Sequence, residues 1–500
     1  MADHEVLYQA IVTALIVGLS SSIIFRLWKW YSIFRLLPPG PWGWPFIGYL
    51  PKLKTNRHLV LTELRKTYGD VYCLKIGVHR AVVLNGLETV RHALVQLGEN
   101  FAGRPSFHTF QFIENGKSMA FCDVGPRWKV RRTIALNGLH AFLKDKVHPV
   151  EIAMTEEAIY LVETFLGNSG KPFNPENSVY LSLGSITFGL CFSDHTLGRS
   201  DAEYLKLIKS VRDFTQNVAA CNLVDILPWL RYLWKDKLKS FIEVNNTLQS
   251  ILSRQEREHL ATFEEGHVRD ILDSFIKTCR EMNEEIKQEV QLKDEHITNI
   301  AADLLRAGTV TVSVTLTWAL LYMIMDPKIQ ERLQNEVDDV IGPARNPRLD
   351  DMGSLPYTEA FILETLRKSS IAPLSLPHAT TKDTTLYGYH IPRGTWVIPN
   401  LFSISHDEKI WSDPHVFRPE RFLTPENTVN ETLAKSFLPF SAGKRRCLGE
   451  LQARWELFLF VATVVQRCHF EKVPGETYDL APEPGLVLHP KHFNIIAKSR

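Results

Sequence analysis

No two of the seven cysteines are spaced C-x-x-C, and the seven are scattered and odd in number. That excludes a disulfide framework or a zinc site readable from spacing and suits a reducing compartment. An excess of charge of either sign is also missing. Lys and Arg number 57 against 56 Asp and Glu, a net +1, so no global basic field points to nucleic acid. Past residue 41 there is no repeat, no low-complexity tract and no second linker. What the 500 residues do have is a globular composition, 45% hydrophobic and 23% charged, enough for one large core.

The amino terminus departs from that balance. Residues 6–25 carry no charge, and as a helix they would extend roughly 30 Å, enough to cross a bilayer. Asp3 and Glu5 precede the run; Arg26, Lys29 and Arg35 follow it among Trp28, Trp30 and Tyr31. Cations after the span place that side in the cytosol, and the aromatics suit the interface. A cleaved signal peptide would begin with cations, and this one does not. The reading is an uncleaved anchor over residues 1–37, a proline-rich break at Pro38-Pro39-Gly40-Pro41, and a cytosolic body over 38–500.

Within the body, residues 71–84 read as two short strands flanking Gly77, and residues 384–398 as a second β patch punctuated by Gly388 and Gly394. The charged stretch at 254–295 reads as solvated helix faces joined by a loop. Most of the remainder has helical periodicity, so a single, mainly α domain with a small β portion is expected, preceded by an N-terminal transmembrane helix.

The stretch Phe440-Ser441-Ala442-Gly443-Lys444-Arg445-Arg446-Cys447-Leu448-Gly449 reads like a socket for a metal cofactor. A cysteine persists as thiolate, the metal-binding form, in an electropositive, shielded setting. Cys447 follows three cations and opens an apolar, helix-compatible run at 451–465, so its sulfur can sit near amide groups at a helix start. Gly443 and Gly449 allow tight turning and close approach to a flat ligand.

This stretch resembles the cysteine-ligand loop of the cytochrome P-450 superfamily, F-x-x-G-x-R-x-C-x-G, at every fixed position from Phe440 to Gly449. The resemblance implies haem with Cys447 as axial thiolate, which pushes electron density toward O–O cleavage. Glu364 and Arg367 match E-x-x-R, three apart on one helix face, and Pro419-Glu420-Arg421-Phe422 resembles its partner segment. By resemblance Glu364, Arg367 and Arg421 form a buried network fixing the Cys447 loop. Trp128 and Arg132 match W-x-x-x-R, whose side chains reach haem propionates; His378 and Arg445 are the further propionate candidates, and an arginine fork suits a carboxylate. Arg131 reads as solvated. Lys129, Lys444 and Arg446 would form a basic proximal face that steers an acidic electron donor. The implied donors are an NADPH-dependent flavoprotein reductase and cytochrome b5.

The oxygen-activation segment departs from the pattern. The family shows [AG]-G-x-[DE]-T-[TS] in a long central helix; here it reads Ala307-Gly308-Thr309-Val310-Thr311-Val312. Thr311 is kept as the expected catalytic hydroxyl, but valine stands where the acid should be. Locally, residues 309–315 alternate β-branched residues and read as strand. The resemblance favours a helix of roughly 32 residues (about 48 Å), with Asp294 capping its start and Asp326-Pro327 ending it. Valine relays no protons, so either water through Thr309 and Thr311 substitutes, oxygen activation is leaky, or the chain rearranges hydroperoxides without a reductase. A haem-binding protein with little turnover is a third reading; retained Thr311 favours monooxygenation.

Residues 347–364, 377–386 and 443–450 look like animal family 1, enzymes that hydroxylate aryl hydrocarbons and other small lipophilic xenobiotics. The implied substrate pocket draws on Phe110, Phe112, Phe214, Ala307, Leu374, Leu486 and Val487, the phenylalanines offering flat apolar faces.

Overall fold

The computed structural model describes residues 36–145, 147–193, 201–217 and 223–500, with six scattered positions before them; the expected anchor at 6–25 lies almost wholly outside the described residues. The body is helical with small sheets. Its longer helices are α1 (Arg57–Tyr68), α2 (Pro126–Asp145), α3 (Val147–Leu166), α4 (Glu176–Phe192), α5 (Ala202–Asn217), α6 (Lys235–Thr262), α7 (Ile271–Arg280), α8 (Asp294–Met325), α9 (Pro327–Val340), α10 (Pro356–Ser369) and α11 (Glu450–Arg467).

Both expected β patches form. β1 (Val71–Ile76) and β2 (His79–Leu84) make an antiparallel hairpin, and β2 runs parallel to β6 (Trp396–Pro399), which also pairs antiparallel with β3 (His378–Ala379). β4 (Thr384–Leu386) and β5 (Tyr389–Ile391) form a second hairpin, and β7 (Cys468–Lys472) pairs with β8 (Ile495–Ser499). The β1–β2 turn requires glycine: Gly77 has φ +58°, and a Cβ there would lie 2.1 Å from the Ile226 carbonyl oxygen.

The core is organised on α8, 32 residues long. In its strand-like Thr/Val run every hydroxyl after Thr309 finds an acceptor one turn back, which lets the run stay helical. Thr311, Ser313, Thr315 and Thr317 donate to the carbonyls of Ala307, Thr309, Thr311 and Ser313 at 2.6–2.8 Å. With those polar atoms paired, the valines pack, and tertiary burial overrides β propensity. Helix α4 lies close enough that a Cβ on Gly308 would be 3.1 Å from Thr187 Cγ2. The start differs from expectation. Asp294 is the first helical residue, and the cap comes from His296 Nδ1, which accepts from the Lys293 amide at 2.9 Å. At the other end Asp326 closes α8 and caps α9 through the Lys328 amide. Among the described residues, the one helix apolar and long enough to cross a membrane is His296–Met325 of α8, and 83% of its apolar window is buried inside the protein. It is the core helix.

Helix α11 carries a buried acid, Glu456, whose oxygen accepts from Gln452 Nε2 at 2.7 Å. Burial pushes its carboxyl up to about 8. A carboxyl whose folded pKa is raised binds its proton more tightly folded than unfolded. Stability therefore falls as pH rises from the ordinary carboxylate range toward 8, by about 1.4 kcal/mol per pH unit for one such group. Glu456→Gln is expected to raise the melting temperature more at pH 8 than at pH 5; an equal shift at both would contradict the account.

Candidate functional site

Cys447 sits in the short loop before α11. Its amide donates to the Phe440 carbonyl at 3.0 Å, closing the loop on itself. Gly443 makes the turn possible: φ is +70°, and a Cβ there would fall 1.8 Å from the Leu94 carbonyl oxygen. The Cys447 side chain is exposed, yet burial pushes its thiol up, while the Gly449 amide, Arg132 and Arg446 pull it down. Exposure and desolvation together mean that the sulfur lines a recess rather than the outer surface. Phe440 is half-buried, with the Arg454 guanidinium 5.1 Å from its ring centre. Cys468 lies at the start of β7 with no exposure, and burial pushes its thiol up to about 12, so it is core packing.

Beside the loop the fold gathers cations. Arg445 gives Nε, Nη1 and Nη2 to the carbonyls of Ala102, Met119 and Cys122 at 2.9–3.0 Å. Its guanidinium lies 4.1 Å from the centre of the Trp128 ring, and Trp128 Nε1 also donates to the Met119 carbonyl. Arg132 is 5.6 Å from the same ring and donates to the Arg446 carbonyl at 2.6 Å. His378 Nδ1 meets the Phe101 carbonyl at 2.8 Å, and burial together with Arg104 pushes its pKa down to about 3, so it is neutral. Arg104 itself, 6% exposed, donates to the carbonyls of Ala120 and Pro377. Burial, then Arg445 and Arg132, hold Arg104 well below the usual arginine range; burial takes Arg445 to about 10.

These cations crowd one another with Asp123 as the acid acting on Arg104 and Arg445. A group bringing two carboxylates would relieve that repulsion. The donor set therefore fits a haem, whose propionates supply the negative charge and whose iron would take the Cys447 sulfur. Arg104 was missed as a site residue. It was visible only as part of Gly103-Arg104-Pro105, and nothing local says that its guanidinium turns inward beside Arg445.

Glu364, Arg367 and Arg421 come together as expected, all three side chains at most 3% exposed. Arg367 makes a fork on Glu364 at 2.7 and 2.8 Å, and Arg421 Nε reaches Glu364 at 3.1 Å. The network's other bonds run to the carbonyls of Ser405, Ser412, Pro414 and Val416, not to the cysteine loop. It pins residues 405–421, and its nearest approach to the cysteine loop is through packing: Trp411 meets Phe437 edge-to-face and Phe422 meets it tilted, each at 5.7 Å, just upstream of Phe440.

Arg131 corrects the solvated reading. It is 3% exposed and donates to the Lys117 carbonyl and to Cys122 Sγ, so it belongs to the interior cation group. The exposed basic face is Lys129, Lys444 and Arg446, with Lys444 paired to Glu99 and Arg446 to Glu450.

Helix α8 carries an open face of its own. Ala307 is exposed, and Leu304, Gly308 and Thr311 on the same face are half-buried, while the other described side chains from His296 to Ile324 are buried. Ala307 and Thr311 are one turn apart and share that open face. Thr309, two residues on, points away. It is fully buried, and its hydroxyl has no partner among the described residues. The two hydroxyls named for a water-borne proton supply, Thr309 and Thr311, thus lie on different faces of α8. Val310 is 1% exposed inside the main core cluster.

Phe110, Phe112 and Phe214 do meet, in one cluster with Ile113, Phe121 and Phe241. Leu374 lies apart, in a second cluster with Trp396 and Ile398, which Phe110 also touches. The Leu486 amide reaches the Thr215 carbonyl at 3.4 Å, next to Phe214, while Val487 is in the main core.

Comparison with known proteins agrees with this geometry. The family model Cytochrome P450 matches residues 38–497. Cytochrome P450 1A1 of Homo sapiens is 42% identical over 477 residues, covering 92% of this chain and 92% of that protein. The proteins of the same name from Macaca mulatta (474 residues, 92% of each) and Cavia porcellus (461 residues, 90% and 89%) are each 41% identical. A cysteine loop beside a cradle of buried cations, a matching fold and this likeness have one reading: the chain belongs to the cytochrome P450 family, monooxygenases that carry haem on a cysteine thiolate.

Proposed function

We propose that this chain is a membrane-anchored monooxygenase that inserts one atom of dioxygen into small, flat, lipophilic substrates of the aromatic or xenobiotic kind. In this reading residues 1–37 anchor it in the endoplasmic reticulum membrane, and residues 38–500 form a cytosolic catalytic domain. Electrons come from NADPH through a flavoprotein reductase, with cytochrome b5 a further donor, docking on the face of Lys129, Lys444 and Arg446. The observation that carries the proposal is the Cys447 loop beside its buried cations; the open Ala307–Thr311 face of α8, next to the aromatic cluster through Arg306 and Phe214, supports it.

Each residue then has a task. Cys447 would hold the haem iron through its sulfur, with the loop from Phe440 fixing it, and Trp128, Arg132, His378 and Arg445, with Arg104, would hold the propionates. When bound, the haem supplies the one-electron and oxygen chemistry that side chains lack. Phe110, Phe112 and Phe214 press a planar substrate toward Ala307, and Leu374, Leu486 and Val487 close the outer wall. Thr311 Oγ1 is the hydroxyl on the open face, and its hydrogen rests on the Ala307 carbonyl. Turning that hydrogen into the open face breaks a bond worth about 1 kcal/mol net, and any proton passed on through Oγ1 is replaced by one that water relays from solvent, so the hydroxyl ends unchanged. Val310 contributes nothing to this path.

In vesicles with reductase, NADPH and dioxygen, product formation from a flat aromatic hydrocarbon should require all three. Thr311→Ala should cut it about a hundredfold while NADPH consumption continues as released peroxide. Product formed from a hydroperoxide with neither NADPH nor dioxygen would overturn the proposal in favour of an isomerase.

A further inference from the structure

One polar group beside the aromatic cluster has no part in the reaction just described. Arg306 precedes Ala307 on α8, and its side chain is 5% exposed. Its guanidinium lies 4.7 Å from the centre of the Phe214 ring, and Nη2 pairs with Glu114 Oε1 at 2.5 Å. The remaining capacity is unused: Arg306 Nε and Nη1 and Glu114 Oε2 are buried with no hydrogen-bond partner among the described residues.

Among the other buried arginines Arg131 leaves only Nε unpaired, whereas Arg306 leaves two of its three nitrogens so. Arg367 and Arg445 each engage Nε, Nη1 and Nη2, as buried guanidinium groups should. Nor does the neighbouring acid compete for Arg306. Asp303 is taken by Ser118 Oγ and by the Met119 and Ala120 amides. Glu114 is itself turned inward by an uncommon backbone, with Glu114, Asn115 and Gly116 at φ +50°, +53° and +74°. Consecutive non-glycine residues in the left-handed region concentrate at functional sites. Burial and Asp303 push the Glu114 carboxyl well up, with Arg306 and Arg131 opposing.

Resting on the pocket reading above, we infer that Arg306 is a specificity-determining residue whose unpaired N–H groups take an acceptor oxygen, a carbonyl or carboxylate, from an otherwise apolar substrate seated against Phe214. The pocket then prefers oxygenated flat molecules to plain hydrocarbons. A carboxylate gains most, because a hydrogen bond between charged partners in a dry site is stronger than one between neutral groups.

The test uses the full-length, haem-bearing protein and three probes of one shape: anthracene, anthrone and an anthracene carboxylic acid. Binding is read from the change in haem absorption, so no turnover is needed. In Arg306→Met the dissociation constant of the acid should rise about tenfold to a hundredfold. Anthrone should weaken less, and anthracene should stay within about threefold of wild type, as expected for an apolar side chain of similar length. Because Arg306→Met leaves Glu114 unpaired, the double variant Arg306→Met/Glu114→Gln is measured beside it and should show the same ranking. Equal weakening of acid and hydrocarbon, or an acid bound no better by wild type than by either variant, would overturn the inference; water alone then satisfies these groups. In that case anthracene binding still stands for the pocket reading, whereas a wild type that takes none of the three contradicts both.

Discussion

Arg367→Ala is expected to leave little or no folded, haem-bearing protein. The guanidinium and its Glu364 partner have no exposure, and the fork between them is closed at 2.7 and 2.8 Å. Removing one member of such a pair costs about 3–5 kcal/mol, and Arg421, which holds Glu364 by one bond at 3.1 Å, does not replace the fork. The Ser405 and Pro414 carbonyls lose their donor as well. Against a total stability of about 5–15 kcal/mol, that loss, with about 1 kcal/mol more for each carbonyl bond, takes a chain at the lower end of the range to or past its unfolding midpoint. Arg367→Lys should rescue little, because a lysine ammonium cannot reproduce the fork or reach both carbonyls at once. The measurements are the denaturation midpoint and the haem-to-protein ratio. A normal midpoint with full haem content would show that the network is idle.

Elements defined by local pattern were readable in the sequence. Alternation about Gly77 located the β1–β2 hairpin, and the apolar run after Cys447 located α11. The cysteine loop and the Glu364–Arg367 pair were readable because a short motif holds their chemistry. What could not be read depended on which way a side chain turns across the fold. Arg131 and Arg104 look like surface arginines in their own segments, and only the convergence of α2, the loop before it and the cysteine loop buries them. Thr309 and Thr311 are near neighbours in sequence, but about 200° of helix rotation separates them, so Thr311 lies on the open face of α8 and Thr309 faces the core. The strand-like run at 309–315 misled for a related reason: the carbonyls that satisfy its hydroxyls exist only once the helix has formed. Arg306 was passed over as one more residue of a pocket segment, since its contact with Phe214 joins two helices far apart in the chain.

Cys447 carries the second large effect. Serine is close to cysteine in size, and the loop depends on the Cys447 amide, the Gly443 turn and Arg445 on three carbonyls, none of which involves the sulfur. Cys447→Ser should therefore keep the fold, and the cation cluster can still hold the propionates. The thiolate ligand is lost outright, and with it the electron donation that drives O–O cleavage, so monooxygenase activity should fall to background. Cys468→Ser, in β7, serves as the control for a buried cysteine outside the recess. The deciding measurement is the carbon monoxide difference spectrum of the reduced protein. Wild type and Cys468→Ser should show the band of a thiolate-ligated haem, and Cys447→Ser should lack it. A Cys447→Ser protein that keeps the thiolate band would contradict the account.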